Sequence, residues 1–175
     1  MTEKLARRGQ HITCEYSIDP FEQLRVGETM DTTPPIAPVT MTVGELSNRI
    51  AQGDEAFTTR QGTLLLDAEK NLAGIITRGD LIRALRQDPS GQTTLLEAGS
   101  SKPMIVAFAD EALIDAINRM LKNNIGRLPV VDRENPRRVI GYIGRSNVMA
   151  ARLGRLEEEE LREGGTFGKL LPAQS

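Results

Sequence analysis

The sequence has 175 residues, of which 39% are hydrophobic and 26% are charged, and its formal net charge is −2. These values are typical of one soluble globular domain, or of two small domains that share a core. Without a clustered basic excess, the composition argues against a nucleic-acid-binding protein. No apolar run approaches the ~18 residues that a membrane helix needs, and since no apolar stretch follows the charged N-terminal residues, we expect no signal peptide. The single Cys14 excludes an internal disulfide and indicates a reducing, cytoplasmic compartment.

The hydrophobic pattern predicts the same order of elements twice. We assign residues 1–25 to an N-terminal extension, 26–88 to a first unit, 89–95 to a linker, 96–154 to a second unit, and 155–175 to an acidic C-terminal helix and tail. In the first unit, a short helix or turn precedes an extended segment, a helix, two strands and a helix, at 26–30, 32–38, 42–53, 63–66, 72–77 and 80–85. In the second unit, an extended segment, a helix, two strands and a helix are predicted at 102–107, 110–121, 128–132, 139–143 and 145–153.

Local signals support these elements. Thr42 and Glu45 form the sequence pattern of a capping box at a helix N-terminus. Asp110 is a candidate cap for the corresponding helix of the second unit, with Leu121 and other apolar residues facing inward. The first unit is longer between its helix and its first strand, which predicts an insertion near residues 54–62. The methionines at 104, 120 and 149 fall at positions expected in the core.

A repeated motif marks the exit of the last strand in each unit. The first copy is Gly74-Ile75-Ile76-Thr77-Arg78-Gly79-Asp80, and the second is Gly141-Tyr142-Ile143-Gly144-Arg145-Ser146-Asn147. Each copy predicts a strand that passes into a helix through a tight turn. Internal repetition of this kind determines the fold class, which we expect to be α+β.

This organisation resembles the cystathionine-β-synthase (CBS) domain, whose repeats have the order β-α-β-β-α. Two in tandem resemble a CBS pair, or Bateman module, and Gly126-Arg127-Leu128-Pro129-Val130-Val131-Asp132 is a second supporting motif. The resemblance implies two repeats related by pseudo-two-fold symmetry. It also implies a homodimer formed through helices, and a regulatory rather than catalytic role.

The resemblance further implies an adenine-nucleotide site. Thr77 and Asp80 correspond to the residues that hold the ribose, and Arg127 and Arg145 are the candidates for the phosphates, since guanidinium groups bind phosphate with two hydrogen bonds. The expected apolar slot for adenine is formed by residues of the extended segments: Ile36, Pro38, Val106 and Phe108. AMP, ADP and ATP are the possible regulatory ligands, and no cofactor is required.

Each of these residues also has a structural interpretation. Thr77 and Asp80 have the spacing of a capping box, so helix capping alone is an alternative to nucleotide contact. In the second copy, Gly144 replaces the threonine and Asn147 replaces the aspartate. Asn147 is therefore a candidate for a weaker second site. Arg127 can equally be a surface cation beside a strand.

A segment upstream resembles the junction between the membrane helices and the CBS pair in bacterial chloride channels of the ClC type. It comprises Leu5-Ala6-Arg7-Arg8-Gly9 and residues 15–22. This resemblance implies a cytosolic regulatory module attached to the transmembrane domain of a channel or transporter.

Two other functions remain open: a ligand-free dimerisation module, and the regulatory part of a soluble enzyme or of a divalent-metal transporter. An enzyme in its own right is the least expected, because the sequence contains no set of nucleophile, base and orienting residue. His11 and Cys14 are too isolated from other ligand-type residues to predict a metal site.

Overall fold

The computed structural model describes residues 20–100 and 104–167. His11, Cys14, most of the segment that resembles the channel junction, and the end of the predicted C-terminal tail lie outside these ranges.

The two predicted units are both present, and the α+β class is confirmed. The first half contains α1 (Pro20–Gln23), α2 (Val26–Thr29), β1 (Ile36–Pro38), α3 (Val43–Ala51), α4 (Glu55–Thr58), β2 (Gly62–Leu66), β3 (Leu72–Thr77) and α5 (Arg78–Gln87). The second half contains α6 (Leu95–Ala98), β4 (Ala107–Phe108), α7 (Leu113–Lys122), β5 (Arg127–Val131), β6 (Val139–Gly144) and α8 (Arg145–Phe167). The extra helix α4 lies in the predicted insertion.

Each half builds a small sheet with the same topology. The strand orders are β1-β2-β3 and β4-β5-β6. In both sheets the first two strands are parallel and the last two are antiparallel, with a register shift near the end of the central strand. The order β-α-β-β-α therefore occurs twice, as expected.

The short helix that precedes each repeat packs on the other repeat. Ahead of the first repeat, the Val26 N–H donates to the Glu111 carbonyl at 3.1 Å, and the Leu113 N–H donates to the Leu24 carbonyl at 2.8 Å. Ahead of the second repeat, the Leu95 N–H donates to the Met41 carbonyl at 2.8 Å, and the Val43 N–H donates to the Thr93 carbonyl at 2.9 Å. These bonds are reciprocal, as expected for two repeats related by pseudo-two-fold symmetry.

The hydrophobic cores follow this exchange. Leu95 is fully buried with Val43, Leu46 and Ile76 of the first repeat. Val26 is fully buried in the core of the second repeat, and Phe21 also belongs to that core. The core of each repeat is thus completed by a short helix that, in the order of the chain, immediately precedes the other repeat.

Three sequence predictions in the second half were wrong. Helix α7 has no side-chain cap and begins after Ala112, because Asp110 instead pairs with Arg133 at 2.8 Å. Leu121 does not face inward but is 73% exposed, since the buried face of α7 is completed by its neighbour Met120. Met149 is also not in the core, with 64% of its surface exposed.

Helix α8 is one continuous helix of 23 residues that passes through Gly154, rather than ending near residue 153. A glycine costs a helix interior only ~1 kcal/mol, and the arginine, leucine and glutamate residues around it favour the helix. The pair Arg155–Glu158, at 3.1 Å, adds support just after the glycine. Among the described residues, no helix is long and apolar enough to cross a membrane.

Candidate functional site

The exit of β3 into α5 is held by a capping box. The Thr77 hydroxyl oxygen accepts from the Asp80 N–H at 3.2 Å, and Asp80 Oδ2 accepts from the Thr77 N–H at 2.8 Å. The Thr77 hydroxyl also donates to the same carboxylate oxygen at 2.7 Å. Two other helices begin in the same way, with Thr42 and Glu45 at α3 and with Thr94 and Glu97 at α6.

Asp80 differs from the other two acidic caps because it is buried. It is only 9% exposed, whereas Glu45 and Glu97 are exposed. Its second oxygen, Oδ1, accepts from Arg83, whose own side chain is 64% exposed. Arg83 can therefore leave Oδ1 at little packing cost, and the freed oxygen can accept a hydrogen bond from another donor.

Asp80 lies in a cleft of about 340 Å³ that both repeats line. This volume falls within the usual range for small-molecule sites. The first repeat contributes Ile75, Thr77 and Asp80. The rest of the lining comes from the residues before β4, from the start of β5, and from the start of α8: Ser100, Met104, Ile105, Asn124, Ile125, Gly126, Arg127, Pro129 and Arg145.

Two guanidinium groups face this cleft without an acidic partner. Of the carboxylates that the structure describes, none forms an ion pair with Arg127 or Arg145. Arg127 crosses to the other repeat, where its Nη1 donates to the Gln61 carbonyl at 2.9 Å. Gly62 makes room for it, because a Cβ there would come within 2.8 Å of Arg127 Cδ. The lining of the cleft thus combines a buried carboxylate, two guanidinium groups and several apolar side chains.

The family comparison agrees with this architecture. The model of the CBS domain matches residues 26–87 and again 97–154. The chain belongs to the CBS-domain family.

Individual relatives show the same module in different proteins. The CBS domain pair of protein MJ0100, solved in complex with 5′-methylthioadenosine and S-adenosyl-L-methionine, is 25% identical with a TM-score of 0.64 and covers 75% of this chain and 98% of that one. A homoserine O-acetyltransferase of Methanococcoides burtonii is 34% identical over 77 residues, which are 44% of this chain and 14% of that protein. Protein MJ1225 of Methanocaldococcus jannaschii is 32% identical over 96 residues, which are 54% of this chain and 33% of that protein. The chain therefore spans a third or less of the length of these two curated relatives.

In the second CBS repeat, the residue that corresponds to Asp80 is Asn147, whose side chain bonds backbone groups. Asn147 Oδ1 accepts from the Gly144 N–H at 2.9 Å, and its Nδ2 donates to the Thr29 carbonyl at 3.3 Å. Asn147 therefore fastens the end of α2 to this repeat. Tyr142 takes the motif position that Ile75 has in the first repeat. Burial raises the pKa of this tyrosine despite the nearby arginines Arg127 and Arg60.

A polar cavity of about 450 Å³ lies beside Tyr142. Its lining comes from the β2 approach, the β5 and β6 ends and the start of α8: Thr59, Arg60, Gln61, Gly126, Arg127, Tyr142, Gly144, Arg145 and Ser146. Arg60 is paired there with Asp31, Nε to Oδ2 at 2.6 Å. Burial raises the pKa of Asp31, but hydrogen bonds from Thr33 and Arg60 outweigh it, so the pKa lies below its usual value.

The predicted ribose and phosphate residues come together in one cleft, but the predicted adenine residues do not line it. Ile36 on β1 is 46% exposed, and the Val106 carbonyl accepts from Arg119 at 2.7 Å. The Phe108 ring lies 4.3 Å below the guanidinium carbon of Arg133. Pro38 is exposed at the end of β1, paired in register with Leu66.

Sequence reasoning missed the apolar wall formed by Met104, Ile105 and Ile125. These residues directly precede β4 and β5, so the cleft opens where the chain approaches the sheet rather than along the strands themselves. The apolar run Met104-Ile105-Val106 was the available signal, and the prediction chose its last member instead of its first two.

Proposed function

We propose that this chain is a regulatory CBS pair that binds an adenine nucleotide in the Asp80 cleft. One observation carries the proposal: a buried carboxylate and two guanidinium groups without an acidic partner among the described residues line the same partly apolar cleft. A nucleotide has parts that match these groups, namely ribose hydroxyls, an apolar base and an anionic phosphate.

We assign a role to each part of the cleft. Asp80 Oδ1 accepts a hydrogen bond from a ribose hydroxyl after Arg83 moves away, while the hydrogen bonds from Thr77 hold Oδ2 in place. Ile75, Ile105 and Ile125 contact the adenine. Arg127 and Arg145 bind the phosphate as charge-assisted donors. The adenosine compounds bound by the CBS pair of MJ0100 support the adenosine part of this assignment, and the two arginines support the phosphate.

Regulation follows from the fact that both repeats line the cleft. A ligand changes the relative arrangement of two units only as far as it binds one arrangement more tightly than the other. A nucleotide between Asp80 of the first repeat and Arg145 of the second has contacts whose distances depend on that arrangement. It is therefore suited to stabilise one state of the pair.

We also propose that the module is a homodimer. An apolar groove of about 260 Å³ runs between α7 and α8, and it includes the exposed side chains of Leu121 and Met149. Large apolar side chains that are exposed together indicate an interaction surface. A second copy of the chain, placed symmetrically, would cover them.

The resemblance of the upstream segment to channel junctions leads us to propose a membrane chloride channel or transporter as the regulated partner. A nucleotide-induced change in the arrangement of the two repeats would be transmitted to the channel through α1 and α2, which contact the second repeat directly. Chloride flux through the parent protein in proteoliposomes should then change on addition of ATP, and Asp80→Ala should abolish that change. Flux that does not respond to any nucleotide would leave the soluble-enzyme and metal-transporter alternatives.

A ligand-free dimerisation module is the competing function, because both oxygens of Asp80 already have partners within the chain. Thermal shift with AMP, ADP and ATP separates the two. At about a hundredfold over its Kd, a ligand stabilises the fold by ~2.7 kcal/mol, which raises Tm by about 5–10 °C.

Asp80→Ala should remove this ligand-induced shift. It also removes a helix cap, so the matched control is Glu45→Ala, which deletes the same capping interaction away from the cleft. Both variants should lower the ligand-free Tm, Asp80→Ala by more because its carboxylate is buried and also pairs with Arg83, but only Glu45→Ala should keep the nucleotide shift. No shift in the unmodified chain at millimolar nucleotide would overturn the proposal and favour the dimerisation module.

A further inference from the structure

We propose that the site recognises a polyphosphate chain, so that nucleoside di- and triphosphates bind more tightly than AMP or than adenosine compounds without phosphate. This inference rests on the proposed function, and it names the ligand class of the same site.

The geometry points to a path for the phosphates beyond the Asp80 cleft. The cleft and the polar cavity beside Tyr142 share three lining residues, Gly126, Arg127 and Arg145. The two spaces are therefore neighbours, with Arg127 and Arg145, which would hold the first phosphate, bordering both. A phosphate chain that continues past these arginines enters the polar cavity.

The polar cavity has the chemistry of an anion site. It adds a third guanidinium, that of Arg60, and the hydroxyls of Thr59 and Ser146. Asp31 pairs with Arg60 and is the one described carboxylate in an ion pair with any of the three arginines. A positive excess remains, and each further phosphoryl group of the ligand would bring more anionic oxygens to it.

The same cavity is poorly suited to a second nucleoside. The position of the ribose-binding threonine is Gly144, which has no side chain, and Asn147 uses its amide on Gly144 and Thr29. Asn147 does not line the cavity. A single nucleotide with an extended phosphate chain fits this asymmetry better than two nucleotides.

The test is isothermal titration calorimetry of the full chain with adenosine, AMP, ADP and ATP at one ionic strength, with and without Mg²⁺. We expect affinity to rise with each phosphate and ATP to bind at least tenfold more tightly than AMP. Arg60→Gln should reduce the ratio of ATP affinity to AMP affinity to less than threefold. Inorganic tripolyphosphate should compete with ATP but should not compete with adenosine.

Arg49→Gln is the matched control, because Arg49 is also an ion-paired arginine of the first repeat, with Asp54 at 2.7 Å, but lines neither space. It should keep the wild-type ratio. Arg60→Gln removes the ion pair of Asp31 and could thereby disturb the fold. The double variant Asp31→Asn/Arg60→Gln controls for this effect, and it should show the same narrowed ratio of ATP affinity to AMP affinity.

The outcomes separate the two proposals. If no adenine compound binds, the proposed function itself fails. If AMP binds as tightly as ATP, or if Arg60→Gln weakens both equally, the nucleotide site stands and the polyphosphate inference is overturned.

Discussion

Leu95→Ala tests the exchange of segments between the two repeats. Leu95 ends the predicted linker and begins α6, which precedes the second repeat, yet its side chain is fully buried in the core of the first repeat. Removing a buried leucine side chain costs about 2–5 kcal/mol, and more where the cavity cannot collapse. Helix α6 is held by its backbone hydrogen bond to Met41, so it cannot move far to fill the cavity. We therefore expect Leu95→Ala to lower the free energy of unfolding by about 3 kcal/mol, which lowers Tm by roughly 6–12 °C.

Urea and thermal unfolding followed by circular dichroism measure this loss, with the m-value as a check that the same surface is exposed. Leu161→Ala is the control, because that leucine is 77% exposed and should shift Tm by little. If the first repeat depends on α6, we expect one unfolding transition whose midpoint shifts to lower temperature and lower urea concentration. A loss below 1 kcal/mol for Leu95→Ala would refute the exchange.

Three further predictions follow from other contacts. Leu121→Glu should convert the proposed dimer to a monomer in size-exclusion chromatography with light scattering, and an unchanged dimer would exclude that face. The pKa of Asp31 in the folded protein lies below its ordinary value of 3.8. The ionised carboxylate therefore stabilises the fold at pH values above 3.8, and this stabilisation is lost as the pH falls below 3.8. Asp31→Asn should therefore lower Tm at pH 7 and flatten the acid limb of Tm against pH; parallel curves would contradict this. Gly99→Ala should destabilise the fold by about 1–3 kcal/mol in urea titrations, because a Cβ there would lie 2.6 Å from the Ile75 carbonyl oxygen; no loss would show that the backbone relaxes freely.

Much of the local structure could be predicted because its causes are local in sequence. Strand β3 has the predicted bounds, residues 72–77, since an apolar run lies between a turn and a cap. The capping box of Thr42 and Glu45 forms as expected. The repeat itself was visible because both copies keep the glycine, the apolar run and the polar residue that opens the helix.

What the sequence did not reveal depends on contacts between distant segments. Val26 was assigned to the first unit by its position in the chain, but it packs in the second core. Leu121 was expected inside because it is apolar, although Met120 already fills that side of α7. The wall of the cleft was misplaced by a few residues because the sequence does not reveal where an extended segment leaves the sheet.

The most direct test of the nucleotide site is a methyl NMR titration of the isoleucine-labelled chain with ATP. Isoleucines 75, 105 and 125 line the Asp80 cleft, whereas Ile50 and Ile114 pack in the two cores away from it. We predict that the first three methyl signals shift with a common saturation curve, and that Asp80→Ala abolishes these shifts while Glu45→Ala keeps them. Shifts confined to other isoleucines, or no shifts at saturating ATP, would contradict an adenine-nucleotide site in this cleft.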